Sequence, residues 1–274
     1  MKRISSIKFL SFFAILLIFS VNSSADVIVT LSSNSYVNWT KGILVIEYSS
    51  SELPLVGKSF HQDILQLNYS VKRKLVSEAF DILRKRIIFD ENRMVEDILS
   101  AFPEKRENII SFLEKINVQN FRYFGGRVLA RYSIDIFADN GIFDIMKLAF
   151  LPREYKEFVN LTEPKEYTGL IISTKKHKFN ISLSVKILSK SGKIIYSYAD
   201  YKGKGRYINF FRSLEDALKT GIFGDRVLYA FPVAIQGENL TDIVIEDNVA
   251  EKILSLEENY EVFYNGKVGI IIDN

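Results

Sequence analysis

The most regular pattern in the chain runs from about Ser59 to Ile88. Ile64, Leu67, Val71, Leu75, Ala79, Ile82 and Leu83 recur there at spacings of three and four, with no proline or glycine between them. This spacing predicts a long amphipathic helix, which needs a sheet or another helix over its apolar side. Before it, "VNWTKGILVIEYSS" alternates as a strand does, with Gly42 ahead of the apolar run Ile43 to Ile46 and with Pro54 and Gly57 closing it off. After it, two shorter helices are expected over Arg93 to Ala101 and Lys105 to Ile116, parted by Pro103. Then "NFRYFGGRVLARYSIDIF" offers two alternating runs around Gly125-Gly126, a dipeptide that supplies the positive φ of a hairpin turn. Strand, long helix, shorter helices and hairpin together predict an α+β unit over residues 26–140, with helices on one face of an antiparallel sheet.

Residues 141–166 carry Pro152 and Pro164 and no clean period, as a connecting segment does. A second, smaller, β-rich α+β unit is expected over residues 167–274. Its strands are Gly169 to Ser173, Phe179 to Leu188, Lys193 to Tyr198, Arg226 to Ile235, Asp242 to Ile245 and Val268 to Ile272. "SLEDALKTG" predicts a short helix with Ser213 as N-cap and Gly221 as its stop, and "DNVAEKILS" another with Asp247 as N-cap.

The N-terminus changes the electrostatic picture. Lys2, Arg3 and Lys8 precede an apolar run from Phe9 to Val21, followed by Ser23-Ser24-Ala25, the pattern of a secretory signal peptide over residues 1–25. Of 36 basic residues three lie in this segment, with none of the 33 acids, so the mature chain is formally neutral. A neutral chain lacks the excess of cations that displaces phosphate counterions, and no nucleic-acid partner is expected. The absence of cysteine removes disulfides, thiolate chemistry and the lipid-bearing cysteine of a bacterial lipoprotein. Export without cysteine favours a bacterial periplasm, with or without outer-membrane association.

Candidate chemistry is sparse. The two histidines, His61 and His177, stand in no nucleophile motif. Asp242, Glu246 and Asp247 are the nearest approach to a ligand cluster, and strand-end and cap roles account for them. "YKGKGRY" has glycines and cations without the spacing of a phosphate loop. No catalytic residue, cofactor or metal is therefore expected. What remains is surface charge: Lys72, Arg73 and Lys74 stand eleven or twelve residues before Arg84, Lys85 and Arg86. Eleven residues is close to three helical turns, which places Arg73 with Arg84 and Lys74 with Lys85 on one stripe. Such a stripe meets anionic lipid or glycan, or is offset by Glu78 and Asp81 nearby. Lys175, Lys176 and Lys178 form a second basic group, at the polar connection between two strands.

"WTKGILVIEY", the long helix ending "AFDILRKRIIFDEN", and "NVQNFRYFGGRVLARYSIDIF" together resemble the small bacterial outer-membrane lipoproteins of the lipoprotein-20 type and the N-terminal domain of flagellar assembly protein T. The second unit, "EYTGLII" through "DIVIEDNVAEKIL", resembles the C-terminal part of uncharacterised secreted bacterial proteins that share that first domain. The resemblance implies a non-enzymatic periplasmic envelope protein, a structural or assembly factor of the outer membrane or flagellar basal body, with envelope or flagellar proteins, the outer-membrane surface or peptidoglycan as partners. A glycan- or lipid-binding module of the envelope is the alternative. Without cysteine the chain is not lipidated as those lipoproteins are.

Overall fold

The structure is a computed structural model that describes residues 25–50, 60–124, 127–147 and 161–272. The expected signal peptide, the Pro54 and Gly57 stop, the Gly125-Gly126 turn and most of the connecting segment lie outside the described residues, as does the side chain of His61.

The first unit builds a five-stranded antiparallel sheet from β1 (Ile28–Ser32), β2 (Ser35–Asn38), β3 (Ile43–Ser50), β4 (Gln119–Phe124) and β5 (Arg127–Asp135), in the order β1-β2-β3-β5-β4. The stretch expected to be one strand is a hairpin. Gly42 takes φ +69°, a left-handed conformation in which a side chain is strained, and the chain turns between Asn38 and Ile43 so that β2 pairs with β3. β1 lies in residues whose polar positions hid it. Val29 and Leu31 pack on the core from this edge, one step apart from exposed neighbours. Between β3 and β4 come α1 (Phe60–Arg86), α2 (Val95–Ala101) and α3 (Glu104–Lys115), close to the expected spans, and α4 (Ile142–Met146) follows β5. Val71, Leu75, Ala79 and Leu83 of α1 are buried in the same cluster as Leu44, Ile46, Val128, Ala130 and Tyr132, so helix and sheet share one core. The fold is α+β, with an antiparallel sheet, a long helix and a β-rich C-terminal region.

The C-terminal residues form two four-stranded sheets. The first, in the order β10-β6-β13-β9, is parallel throughout: β6 (Gly169–Ser173), β9 (Asn209–Phe211), β10 (Val227–Ala230) and β13 (Val268–Ile271). The second, in the order β11-β12-β7-β8, is mixed: β7 (Ile187–Ser189), β8 (Ile194–Tyr196), β11 (Pro232–Gln236) and β12 (Asp242–Ile245). Two expected strands are corrected here. Phe179 to Lys186 is irregular although its apolar side chains are buried, because its backbone bonds to the first unit: Leu183 N–H donates to the Ile88 carbonyl at 3.0 Å and Ser184 N–H to that of Phe89 at 2.7 Å. The run Arg226 to Ile235 passes from one sheet to the other at the exposed Phe231.

Three short helices complete the unit: α5 (Leu214–Lys219), α6 (Asp247–Ile253) and α7 (Tyr260–Tyr264). Ser213 caps α5 as expected, accepting from Asp216 N–H at 3.1 Å, and Gly221 beyond it takes φ +69°. Asp247 is not the cap of α6. Glu246 holds that position, and the Asp247 carboxylate accepts from Ser191 N–H at 3.0 Å.

One apolar cluster runs through both units. At its centre Phe143 of α4 stacks on Tyr207, centroids 5.5 Å apart and 8° from parallel, and also meets the tilted Phe137 ring at 5.2 Å. Trp39 meets Phe210 edge-on at 6.0 Å, and the Thr40 hydroxyl donates to the Phe210 carbonyl at 3.0 Å.

Candidate functional site

α1 spans 27 residues, about 40 Å, whereas α3 beside it spans 12, about 18 Å. The shorter helix cannot cover the longer one. Its packing leaves a groove of about 620 Å³ whose floor is Val76, Phe80 and Ile110, with Lys72, Arg73 and Arg106 around it. On the opposite flank a shallower groove of about 500 Å³ separates α1 from the β1–β2 hairpin and is lined by Lys74, Lys85 and Arg86.

The expected single stripe is therefore divided. Lys74 and Lys85 do share a groove, but Arg73 and Arg84 do not. Arg84 Nε donates to Asp81 at 2.8 Å and its Nη1 lies 3.2 Å from both Glu96 carboxylate oxygens, so its charge is matched by α1 itself and by α2. This hydrogen bond from Arg84 holds the Asp81 carboxyl below its usual range. Glu78, expected to offset the stripe, instead accepts from Asn34 Nδ2 at 2.8 Å. Lys72, Arg73 and Arg106 form no ion pair among the described residues, and the Arg106 guanidinium lies 5.2 Å from the Phe80 ring centroid. Arg106 was not legible as a partner of Lys72 and Arg73, since only the docking of α3 on α1 brings them together.

Lys175, Lys176 and Lys178 are exposed on the turn after β6 and line neither groove. That turn is built on Thr174, whose hydroxyl donates to the Ile271 carbonyl at 3.0 Å and whose own carbonyl accepts from His177 N–H at 2.8 Å. The cations of "YKGKGRY" are engaged structurally. The Arg206 guanidinium donates to the Thr40 and Lys41 carbonyls, Lys202 lies 3.8 Å from the Tyr264 ring centroid, and Lys204 meets Asp139 at 3.3 Å.

The three acids weighed as ligands diverge: Asp242 faces Lys186, Glu246 pairs with Lys190 at 3.6 Å, and Asp247 serves Ser191. Among the described residues no group of three or more His, Cys, Asp or Glu side chains is placed to hold a metal ion. Asp242 belongs to a different arrangement, at the seam between the two units. Lys186 Nζ stands 2.6 Å from Glu91 and 3.7 Å from Asp242, Asp90 binds Arg93, and Asn239 N–H donates to the Glu91 carbonyl at 2.8 Å. Burial pushes the Asp242 carboxyl up to about 7, against the pull of Lys186 and with the help of the Glu91 charge. Burial opposes the Lys186 charge as well, but the Glu91 hydrogen bond and the charges of Asp242, Glu91 and Asp90 hold that ammonium above its ordinary value. The signal for this cluster was a lysine inside the apolar run "LSVKIL".

Residues 169–274 match the family model described as the second domain of Treponema pallidum Tp0624. The match begins on the first residue of β6, takes in both C-terminal sheets and leaves α1 outside. A search of the curated proteins gives no match to the chain. Among the described residues no helix is long and apolar enough to cross a membrane.

Proposed function

We propose that the protein is a non-enzymatic component of a bacterial cell envelope, exported to the periplasm, where it acts as a structural or assembly factor of the outer membrane or flagellar basal body. The N-terminal pattern of residues 1–25 supports export, and the resemblance of the first unit to outer-membrane lipoproteins and to the flagellar assembly domain supports the role. The observation that carries the reading is the groove beside α1, where three cations without ion pairs among the described residues surround an apolar floor of Val76, Phe80 and Ile110, next to the exposed Tyr69. That is the composition of a contact surface.

Two measurements test this. Cell fractionation is expected to recover a processed chain beginning near Asp26 in the periplasm or envelope; an unprocessed cytosolic chain overturns export. A deletion strain is expected to lose motility or to assemble incomplete basal bodies; normal motility with normal basal bodies removes the flagellar version. The same cations favour one other reading, a glycan- or lipid-binding module. Because Arg84 is occupied by Asp81 and Glu96, its test is Arg73→Glu with Arg106→Glu, which abolishes pull-down by peptidoglycan or lipopolysaccharide if that reading holds.

A further inference from the structure

We infer that the groove between α1 and α3 takes an acidic amphipathic helix of a partner protein. The inference rests on the reading of this groove as a contact surface and adds the chemistry of the occupant.

Length is the first argument. The floor does not stop where α3 stops: Val76 and Phe80 lie deep, at 9% and 6% exposure, and Leu65 and Tyr69, 55% and 75% exposed, continue their line toward the N-terminus of α1 as the open apolar end of the groove. Positions 65, 69, 76 and 80 are separated by four, seven and four residues, so they lie on one face over about 22 Å, four turns of helix. A stripe of that length matches a facing helix of about 15 residues, anchored by apolar side chains at the same spacings.

The second argument is where the charge sits. Lys72 and Arg73 flank the Tyr69 and Val76 end, whereas Arg106 stands over Phe80, eight residues further along α1, about 12 Å away. Positive charge is thus spread along the groove. A lipid carries its anionic group at one end of its chain and calls for cations gathered at one end of a pocket, and a membrane surface calls for cations on a convex face. Acidic side chains about two turns apart on one helix reach both groups at once. The lining contains two carboxylates, Asp81 and Glu114, against three cations, and Asp81 is hydrogen-bonded by Arg84 and reaches Arg106 only through space. A partner bearing two or more acids answers that imbalance.

The test places a photoactivatable benzophenone residue at Tyr69 of the full exported chain and identifies the adducts formed in intact cells by mass spectrometry. The expected adduct is a protein segment with apolar residues at helical spacing and at least two Asp or Glu, and its yield falls at least tenfold in Lys72→Glu/Arg73→Glu/Arg106→Glu. Replacing the acids of that segment by lysine restores the yield with this variant. Thermal unfolding checks that the variant is folded, and the single change Arg106→Gln, expected to lower the yield severalfold, serves if it is not. A lipid or glycan adduct, a protein segment without acids, an unchanged yield in the charge-reversed chain, or no adduct each overturns the inference. A lipid or glycan adduct leaves the envelope reading standing, whereas an unexported chain overturns that reading by itself.

Discussion

Residues 28–135 and residues 169–271 both make sheets, but they close them differently. In the first region every adjacent pair of strands is antiparallel, and the helices lie against one face, with the outer positions of β5, Arg127, Leu129 and Arg131, left partly or fully open. In the second region β10-β6-β13-β9 is parallel throughout and is covered on both faces except at Tyr229 of the edge strand β10. Leu170, Ile172, Val268 and Ile270 point into the shared core, while Ile171, Phe211 and Ile271 point into a small cluster sealed by Ala217 of α5 and by Phe223. A parallel sheet is stable only when both faces are buried; the exposed large apolar side chains of this region lie outside the sheet's centre, at Leu214, Leu218 and Ile222 around α5 and at Tyr229, Phe231 and Val233 along β10 and β11. The first region has one sheet face and two helix flanks to spare, and the groove whose cations form no ion pair among the described residues is found there. The second region supplies a frame, and the seam through Phe143, Tyr207, Glu91 and Lys186 couples the frame to α1's sheet.

If the seam joins the regions into one cooperative body, the largest effect comes from its central ring. Phe143→Ala leaves a cavity between Phe137 and Tyr207 and is expected to cost about 3–5 kcal/mol. The unfolding curve followed by calorimetry shifts as a single transition; a split into two transitions shows that the regions unfold separately.

Next in size is a pH effect at the seam. The Asp242 carboxyl, pushed up to about 7 by burial, keeps a proton in the native state that the unfolded chain has lost above its ordinary value near 3.8. The native state binds more protons between those values, so stability falls as pH rises through this window and is level above it. Lowering the pH from 8 to 5 is expected to raise stability by up to roughly 3 kcal/mol, read from urea midpoints. Asp242→Asn removes that slope, and an Asn variant with the slope intact assigns it elsewhere.

Tyr207→Phe probes the irregular segment that replaces an expected strand. Val185 N–H donates to the Tyr207 hydroxyl at 2.6 Å in a buried setting, and losing that acceptor is expected to cost about 1–3 kcal/mol. Amide exchange at Val185 rises in the variant; unchanged exchange there contradicts the assignment. The smallest effect belongs to the second region alone. Ser213→Ala removes the cap of α5 and is expected to cost about 1 kcal/mol, with the exchange of Leu214 to Ala217 rising and that of α1 unaltered.

The same contrast explains what was legible in the chain. α1, α2 and α3 could be placed because a helix is written in spacings of three and four within one segment, and β4–β5 because a hairpin pairs neighbours in sequence. β6, β10 and β13 were also expected, from their apolar runs, but the three-residue β9 was not, and the pairing of Gly169 with Val227 and of Ile171 with Gly269 is a contact that no local pattern records. Phe179 to Lys186 has the composition of a strand, yet its backbone partners are Ile88 and Phe89 of the other region. At the candidate site, the cations of α1 were visible in the sequence. Their division between two grooves was not, because it depends on the flank where α3 docks and on Glu96 reaching Arg84 from α2.

The contrast between the proposed binding face on α1 and a frame in the second region is tested most directly by photocrosslinking from three positions of the full chain in native envelopes. Ser77 lies between the two grooves of α1, whereas Thr220 and Glu251 are exposed beside α5 and on α6. The account predicts envelope adducts from Ser77 and none above background from Thr220 or Glu251. Adducts from Thr220 or Glu251 with none from Ser77 contradict it.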